Sequence, residues 1–318
     1  VLAIVCPGQG SQTPGFLAPW LELPGVREHL EALSDAAGLD LVAHGTVSDE
    51  ETIKDTAVAQ PLIVAAGLVA ARQLLDTGAL TAATVVAGHS VGEITASAVA
   101  GALTEDDAVT FVRERANAMA RAAAAAPTGM SAVLGGDPDD VAQVLAGLGL
   151  TAANANGGGQ VVAAGTLEQL AELTANPPAK ARVIPLKVAG AFHTSHMEPA
   201  LSVLEALRPS LSPAEPLPTL LSNFDGAAVV SGEANLDSLI AQVSRPVRWD
   251  ACMETMTGMG VTGILELPPA GTLTGLAKRG MRGVPSLALK SPEDLAAARA
   301  FVAEHSGAAA VTTQEGNA

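Results

Sequence analysis

Two kinds of segment alternate along this chain, short apolar runs and longer Ala/Leu-rich stretches with helical spacing. LAIVCP, TVVAGHS and VTGILEL are brief and aliphatic, as strands buried on both faces are. Glycines follow each run, and then a helical pattern, such as EITASAVAGAL after TVVAGHS. Repetition of strand, glycine turn and helix predicts an α/β fold with a mainly parallel sheet.

That rhythm breaks between residues 128 and 190. GMSAVLGG reads as a strand, DPDDVAQVLAGLG as a helix, and LTAANAN and QVVAAG as two strands. TLEQLAELTAN then reads as a helix and ARVIPLKVAG as a strand. The order βαββαβ is that of a ferredoxin-like unit. The expected organisation is a discontinuous main domain over 1–127 and 191–310, with a ferredoxin-like subdomain inserted at 128–190. A ligand cleft is expected where the two meet. The polar tail, 311–318, carries no pattern and is expected to be disordered.

Composition narrows the function classes. The 318 residues include no Tyr and few other aromatics, so stacking platforms for nucleic-acid bases are missing. A formal charge of −16 argues against nucleic acid or an anionic membrane as partner. The charge is uneven, since the stretch from Lys180 to Lys290 holds ten basic and nine acidic residues. A basic surface for an acidic partner is one reading of that stretch, and an ordinary solvated surface is the other. No uninterrupted apolar run reaches the roughly 18 residues that span a bilayer. VLAIVCPGQG has no basic residues ahead of its apolar part and reads as a first buried strand rather than a signal peptide. Cys6 and Cys252 are too few and too far apart for a disulfide framework or a zinc site, which points to a reducing cytoplasm.

The candidate chemistry begins at Gly88-His89-Ser90-Val91-Gly92, which matches the G-x-S-x-G pattern of a nucleophile elbow. A serine at the tip of a tight strand-to-helix turn takes a strained backbone conformation, and side chains at Gly88 and Gly92 would collide with neighbouring backbone. The turn aims the N–H of Val91 at an oxyanion on the group that Ser90 attacks. Taken alone, the pentapeptide could also be a glycine-rich connection with an incidental serine. A base for Ser90 must come from six histidines. His193 and His196, in VAGAFHTSHM, follow the last strand of the inserted unit, where the chain re-enters the main domain. His-x-x-His can also supply two metal ligands, but no third stands at metal-site spacing. His89 starts on the far side of the turn from Ser90 and reads as a buried neighbour. In the first glycine loop the N–H of Gln9 is a candidate second oxyanion donor.

Arg115 stands out within the helix expected from about Glu105 to Ala125. At about 100° per residue it lies roughly 60° from the centre of the apolar face, while Arg113 lies further round and Arg121 nearly opposite. A buried arginine needs an anion. A substrate carboxylate is one candidate, held as a bidentate pair. An internal salt bridge to a residue such as Glu93 is the other.

GQGSQ, GHSVGE, RERANAM and AFHTSHM occur together and in order. This set resembles the malonyl-CoA:acyl-carrier-protein transacylases of fatty-acid synthesis and the related acyltransferase domains of polyketide synthases. The resemblance runs from Pro7 to about Arg282 and implies an α/β-hydrolase-like body with a ferredoxin-like insertion. It implies Ser90 as the acylated nucleophile, His193 as general base, and the N–H groups of Gln9 and Val91 as the oxyanion hole. It further implies a main-chain carbonyl, that of Gln242, to orient the base, and Arg115 to hold the malonyl carboxylate. Phe192 beside His193 goes with an unbranched malonyl unit, because its ring leaves little room for a methyl. The implied partners are malonyl-CoA and a phosphopantetheinylated acyl carrier protein, the latter met by Lys180, Lys187, Arg245, Lys278, Arg279 and Arg282. The expected enzyme is a monomer without cofactor or metal. The chain departs from the family at Pro268-Pro269-Ala270, where many members have Gly-Pro-Gly.

Overall fold

A computed structural model describes residues 1–75, 80–81 and 84–306. The expected tail, 311–318, lies outside the described residues. In chain order the strands are β1 (Leu2–Cys6), β2 (Val85–Gly88), β3 (Thr128–Gly135), β4 (Thr151–Gly157) and β5 (Gln160–Thr166). They continue with β6 (Ala181–Pro185), β7 (Thr219–Leu221), β8 (Val247–Arg248), β9 (Gly263–Glu266) and β10 (Ser286–Ala288). The helices are α1 (Val26–Ala37), α2 (Leu41–Thr46), α3 (Thr56–Leu74), α4 (Gly92–Val99), α5 (Glu105–Ala124) and α6 (Pro138–Gly147). They continue with α7 (Leu167–Ala175), α8 (Leu201–Leu207), α9 (Gly232–Gln242), α10 (Trp249–Gly258), α11 (Thr272–Gly280) and α12 (Leu295–His305).

One sheet is wholly parallel, in the order β10-β9-β1-β2-β7. Its central strand buries both faces, which is why LAIVC is apolar throughout. Leu2, Ile4 and Cys6 point into a core shared with α1, α3, α5 and α12. Ala3 and Val5 point the other way, into a core with α10 and α11. This is a three-layer α/β arrangement. Helix α3 has the length and apolarity of a membrane span, but most of its surface is buried inside the protein.

The second sheet runs β6-β3-β5-β4-β8. Its first four strands are antiparallel, and β3, α6, β4, β5, α7 and β6 follow one another in the expected order. Val133, Ala163, Val141, Leu145, Leu170 and Leu173 close a small core between this sheet and its helices. Two differences from expectation are informative. The last strand ends at Pro185 rather than near Gly190, and Leu186 and Val188 beyond it line cavities instead. The fifth strand, β8, comes from beyond the 128–190 segment and pairs parallel with β4, so the sheet stitches the two parts of the chain together. The first glycine loop also differs, leading to a short 3₁₀ turn at Ala18–Glu22 before α1.

Candidate active site

The elbow between β2 and α4 is built by close packing. A Cβ on Gly88 would lie 2.1 Å from the carbonyl carbon and oxygen of Gly92, and one on Gly92 would lie 2.1 Å from the Cys6 carbonyl oxygen. Only glycine lets strand and helix approach so closely. Ser90, at the tip, has φ of +53°. Its N–H donates to Asn223 Oδ1 at 2.8 Å, and its carbonyl accepts from Gln242 Nε2 at 3.2 Å.

His193 meets Ser90 across 103 positions of sequence, with Nε2 2.7 Å from the serine Oγ. The ring is fixed from behind by the C-terminal end of α9. Its Nδ1 lies 2.8 Å from the Gln242 carbonyl oxygen, and its main-chain N–H donates to Val243 O at 3.0 Å. A carbonyl can only accept, so Nδ1 carries the proton and Nε2 offers its lone pair to the Ser90 hydroxyl. Helix-end carbonyls also favour positive charge arriving on the ring. At rest the imidazole is neutral, since burial and then Arg115 hold its pKa down at about 3 against the opposing pull of the Gln242 carbonyl.

The pair opens onto a cavity of about 200 Å³ lined by Gln9, Val91, Met130, Val188, Phe192 and Leu273 among others. Among the described residues nothing accepts from the main-chain N–H of Gln9 or of Val91. Val91 is also the N-cap of α4, where helix dipole and free donors coincide. Phe192 is buried and lines the same cavity. His89 turns aside as expected, its Nε2 2.8 Å from Asn156 Oδ1 and its ring edge-on to Trp249. His196 is half-buried and does not line the cavity.

Arg115 is fully buried on α5, whereas Arg121 is exposed. Two side-chain amides hold it, with Nη1 donating to Gln60 Oε1 at 2.6 Å and Nη2 to Gln242 Oε1 at 2.9 Å. Its Nε has no partner among the described residues. Burial pulls the guanidinium pKa down to about 10, and Glu93 partly offsets this, yet no carboxylate among the described residues makes an ion pair with it. Arg115 does not itself line the cavity, but Gln60 and Met119 do. Gln60 thus links the buried guanidinium to the cavity wall.

Sequence reasoning missed Gln60 and Asn223. Gln60 carried a signal, as a lone amide inside the apolar run of α3. Asn223 carried none, being one polar residue in the loop after β7. Of the six basic residues singled out, Arg279 reaches the cavity wall, donating to Gln160 Oε1 at 3.0 Å.

A part-buried Ser–His pair at an elbow, facing a partly open cavity, is the architecture of enzymes that carry an acyl group on serine. Residues 3–301 match the acyl transferase domain, and the chain belongs to that family of enzymes. It is 54% identical over 296 residues to the malonyl CoA-acyl carrier protein transacylase of Mycobacterium tuberculosis (strain ATCC 25618 / H37Rv), covering 93% of this chain and 98% of that one. The Escherichia coli (strain K12) protein of the same name is 33% identical over 303 residues, covering 93% and 98%. A crystal structure of MCAT from Mycobacterium tuberculosis superimposes with a TM-score of 0.90 at 52% identity, covering 94% of this chain and 99% of that one. A type II PKS acyl-carrier protein in complex with its malonyl-transacylase matches through the enzyme chain, with a TM-score of 0.87 at 30% identity and coverage of 94% and 99%.

Proposed function

We propose that this enzyme moves a malonyl group from malonyl-CoA to the phosphopantetheine thiol of an acyl carrier protein, through a malonyl ester on Ser90. The observation that carries the reading is the 2.7 Å contact between Ser90 Oγ and a neutral His193, beside a fully buried arginine that makes no direct ion pair among the described residues.

The Ser90 hydroxyl gives its proton to His193 Nε2 as Oγ attacks the thioester carbonyl. The oxyanion forms against the N–H groups of Gln9 and Val91. Collapse breaks the C–S bond, and the proton passes from His193 to the departing CoA thiolate. The carrier thiol then repeats these steps in reverse, giving ping-pong kinetics without metal or redox cofactor. Arg115 holds the malonyl carboxylate, while Phe192 crowds the α-carbon against a methyl branch. A cavity walled by Met130, Val162, Val188 and Phe192 disfavours water at the ester. Lys180, Lys187, Arg245, Lys278, Arg279 and Arg282 provide charge for an acidic carrier.

In fold terms the reading is an α/β-hydrolase-like body, 1–127 and 191–310, carrying a ferredoxin-like insertion at 128–190. The antiparallel order β6-β3-β5-β4 supports the second label. The enzyme acts as a cytoplasmic monomer, a view supported by one chain supplying every group of the site.

The test is to offer malonyl-CoA and acetyl-CoA with holo-carrier to wild type and to Arg115→Ala. Wild type should load the carrier with malonyl, and the variant should lose malonyl transfer by about a hundredfold or more while keeping acetyl transfer. Free malonate with no loaded carrier would mark a hydrolase instead. Equal loss with both donors would give Arg115 a purely structural role.

A further inference from the structure

Glu93, the first acidic residue of α4, is fully buried one turn below the nucleophile and takes no part in the chemistry above. Its carboxylate accepts from Gln242 Nε2 at 2.5 Å and faces the Asn223 N–H at 3.3 Å from both oxygens. Those two amide side chains hold the peptide units around Ser90. Asn223 Oδ1 takes the Ser90 N–H, and Asn223 Nδ2 donates to the Gly88 carbonyl at 2.6 Å. Gln242 Nε2 donates to the Ser90 carbonyl, and Gln242 Oε1 accepts from Arg115. The Gln242 main-chain carbonyl is the one that orients His193.

An amide can be placed either way round, but an ionised carboxylate is acceptor-only. Gln242 must therefore turn its nitrogen to Glu93, which leaves its oxygen for the guanidinium. The reverse placement would set oxygen against carboxylate and NH₂ against Arg115. One buried negative charge thus fixes the polarity of the network and balances Arg115 across an intervening amide.

We propose that Glu93 is a positioning residue, whose carboxylate fixes the Gln242 side-chain amide and the Asn223 main chain so that both residues hold Ser90 for reaction. The proposal rests on the Ser90 acyl-enzyme reading and extends it to a residue outside the reacting groups. Because Glu93 places the nucleophile rather than binding substrate, its loss should lower turnover for every donor. Because its charge opposes that of the malonyl carboxylate, its loss should not weaken malonyl binding.

The experiment measures Ser90 acylation by malonyl-CoA and by acetyl-CoA, in rapid-quench assays on wild type and Glu93→Gln. The expected result is a fall in kcat of about tenfold or more with both donors, with KM for malonyl-CoA unchanged or lower. Wild-type kcat in the variant, or a rise in malonyl KM without loss of kcat, overturns the proposal. If Glu93→Gln does not fold, Gln242→Met carries the test, since it deletes the bridging amide and keeps the carbonyl that holds His193. Retention of kcat in that variant overturns the proposal equally. Failure of the wild type to form an acyl-enzyme would instead overturn the functional reading, and this inference with it.

Discussion

Ser90 and His193 both sit at positive φ, +53° and +62°, a region that costs a non-glycine residue about 1–2 kcal/mol. Both are held there by bonds from elsewhere in the chain, Ser90 through Asn223 and Gln242, His193 through two carbonyls at the end of α9. The charges around them titrate at unequal points. With His193 held down at about 3, its protonation lies far below neutral pH and leaves Nε2 free to accept. Glu93 is pushed up to about 7 by burial, against the bonds from Asn223 and Gln242 and the charge of Arg115. The other ionisable group facing it is Cys252 on α10, whose thiol burial keeps protonated. Glu93 therefore gains a proton as pH falls through neutrality and stops being acceptor-only. The acylation rate of wild type should fall on the acid side of about pH 7, while the slower Glu93→Gln variant stays flat from about pH 8 to about 5. An acid limb unchanged in the variant would assign the titration to another group.

At the scale of elements, the cavity depends on a helix that cannot cap itself. The N-cap of α11 is Gly271, which has no side chain, and the role passes to Glu266 at the end of β9. Its fully buried carboxylate accepts from the N–H groups of Leu273 and Thr274 at 2.9 and 2.8 Å. Negative charge there also meets the positive end of the helix. Glu266→Gln replaces one acceptor with a donor facing an N–H. It should cost about 1–2 kcal/mol in urea unfolding, with a rise in KM, because Thr272, Leu273 and Leu276 line the cavity. Unchanged stability would mean that the helix end is satisfied otherwise. The element-level pattern was largely legible in the sequence, since strands such as LAIVC and helices such as α5 carry their burial in their periodicity. Strand β8 was not. Two residues have no period, and Val247–Arg248 becomes a strand only because β4 offers it an edge.

Across the whole molecule, the site is assembled from β2–α4, the loop after β6, α5 and the end of α9, and legibility follows that division. Ser90 could be read because a tight strand-to-helix turn requires glycines at fixed places around it, and His193 because it follows the last strand of the inserted unit in a motif that resembles the family's. Arg115 could be read because a cation on an apolar helix face needs explaining. Gln60 signalled only that a lone amide sits in an apolar helix, Glu93 only that it could meet Arg115, and Asn223 nothing, because the roles of these amides and this carboxylate are set by partners more than fifty positions away. The account stands on Ser90 carrying the acyl group. Intact mass after brief incubation with malonyl-CoA tests this most directly. The account predicts one added malonyl on the wild-type protein and none on Ser90→Ala. No adduct on wild type, or an adduct that persists in Ser90→Ala, would contradict it.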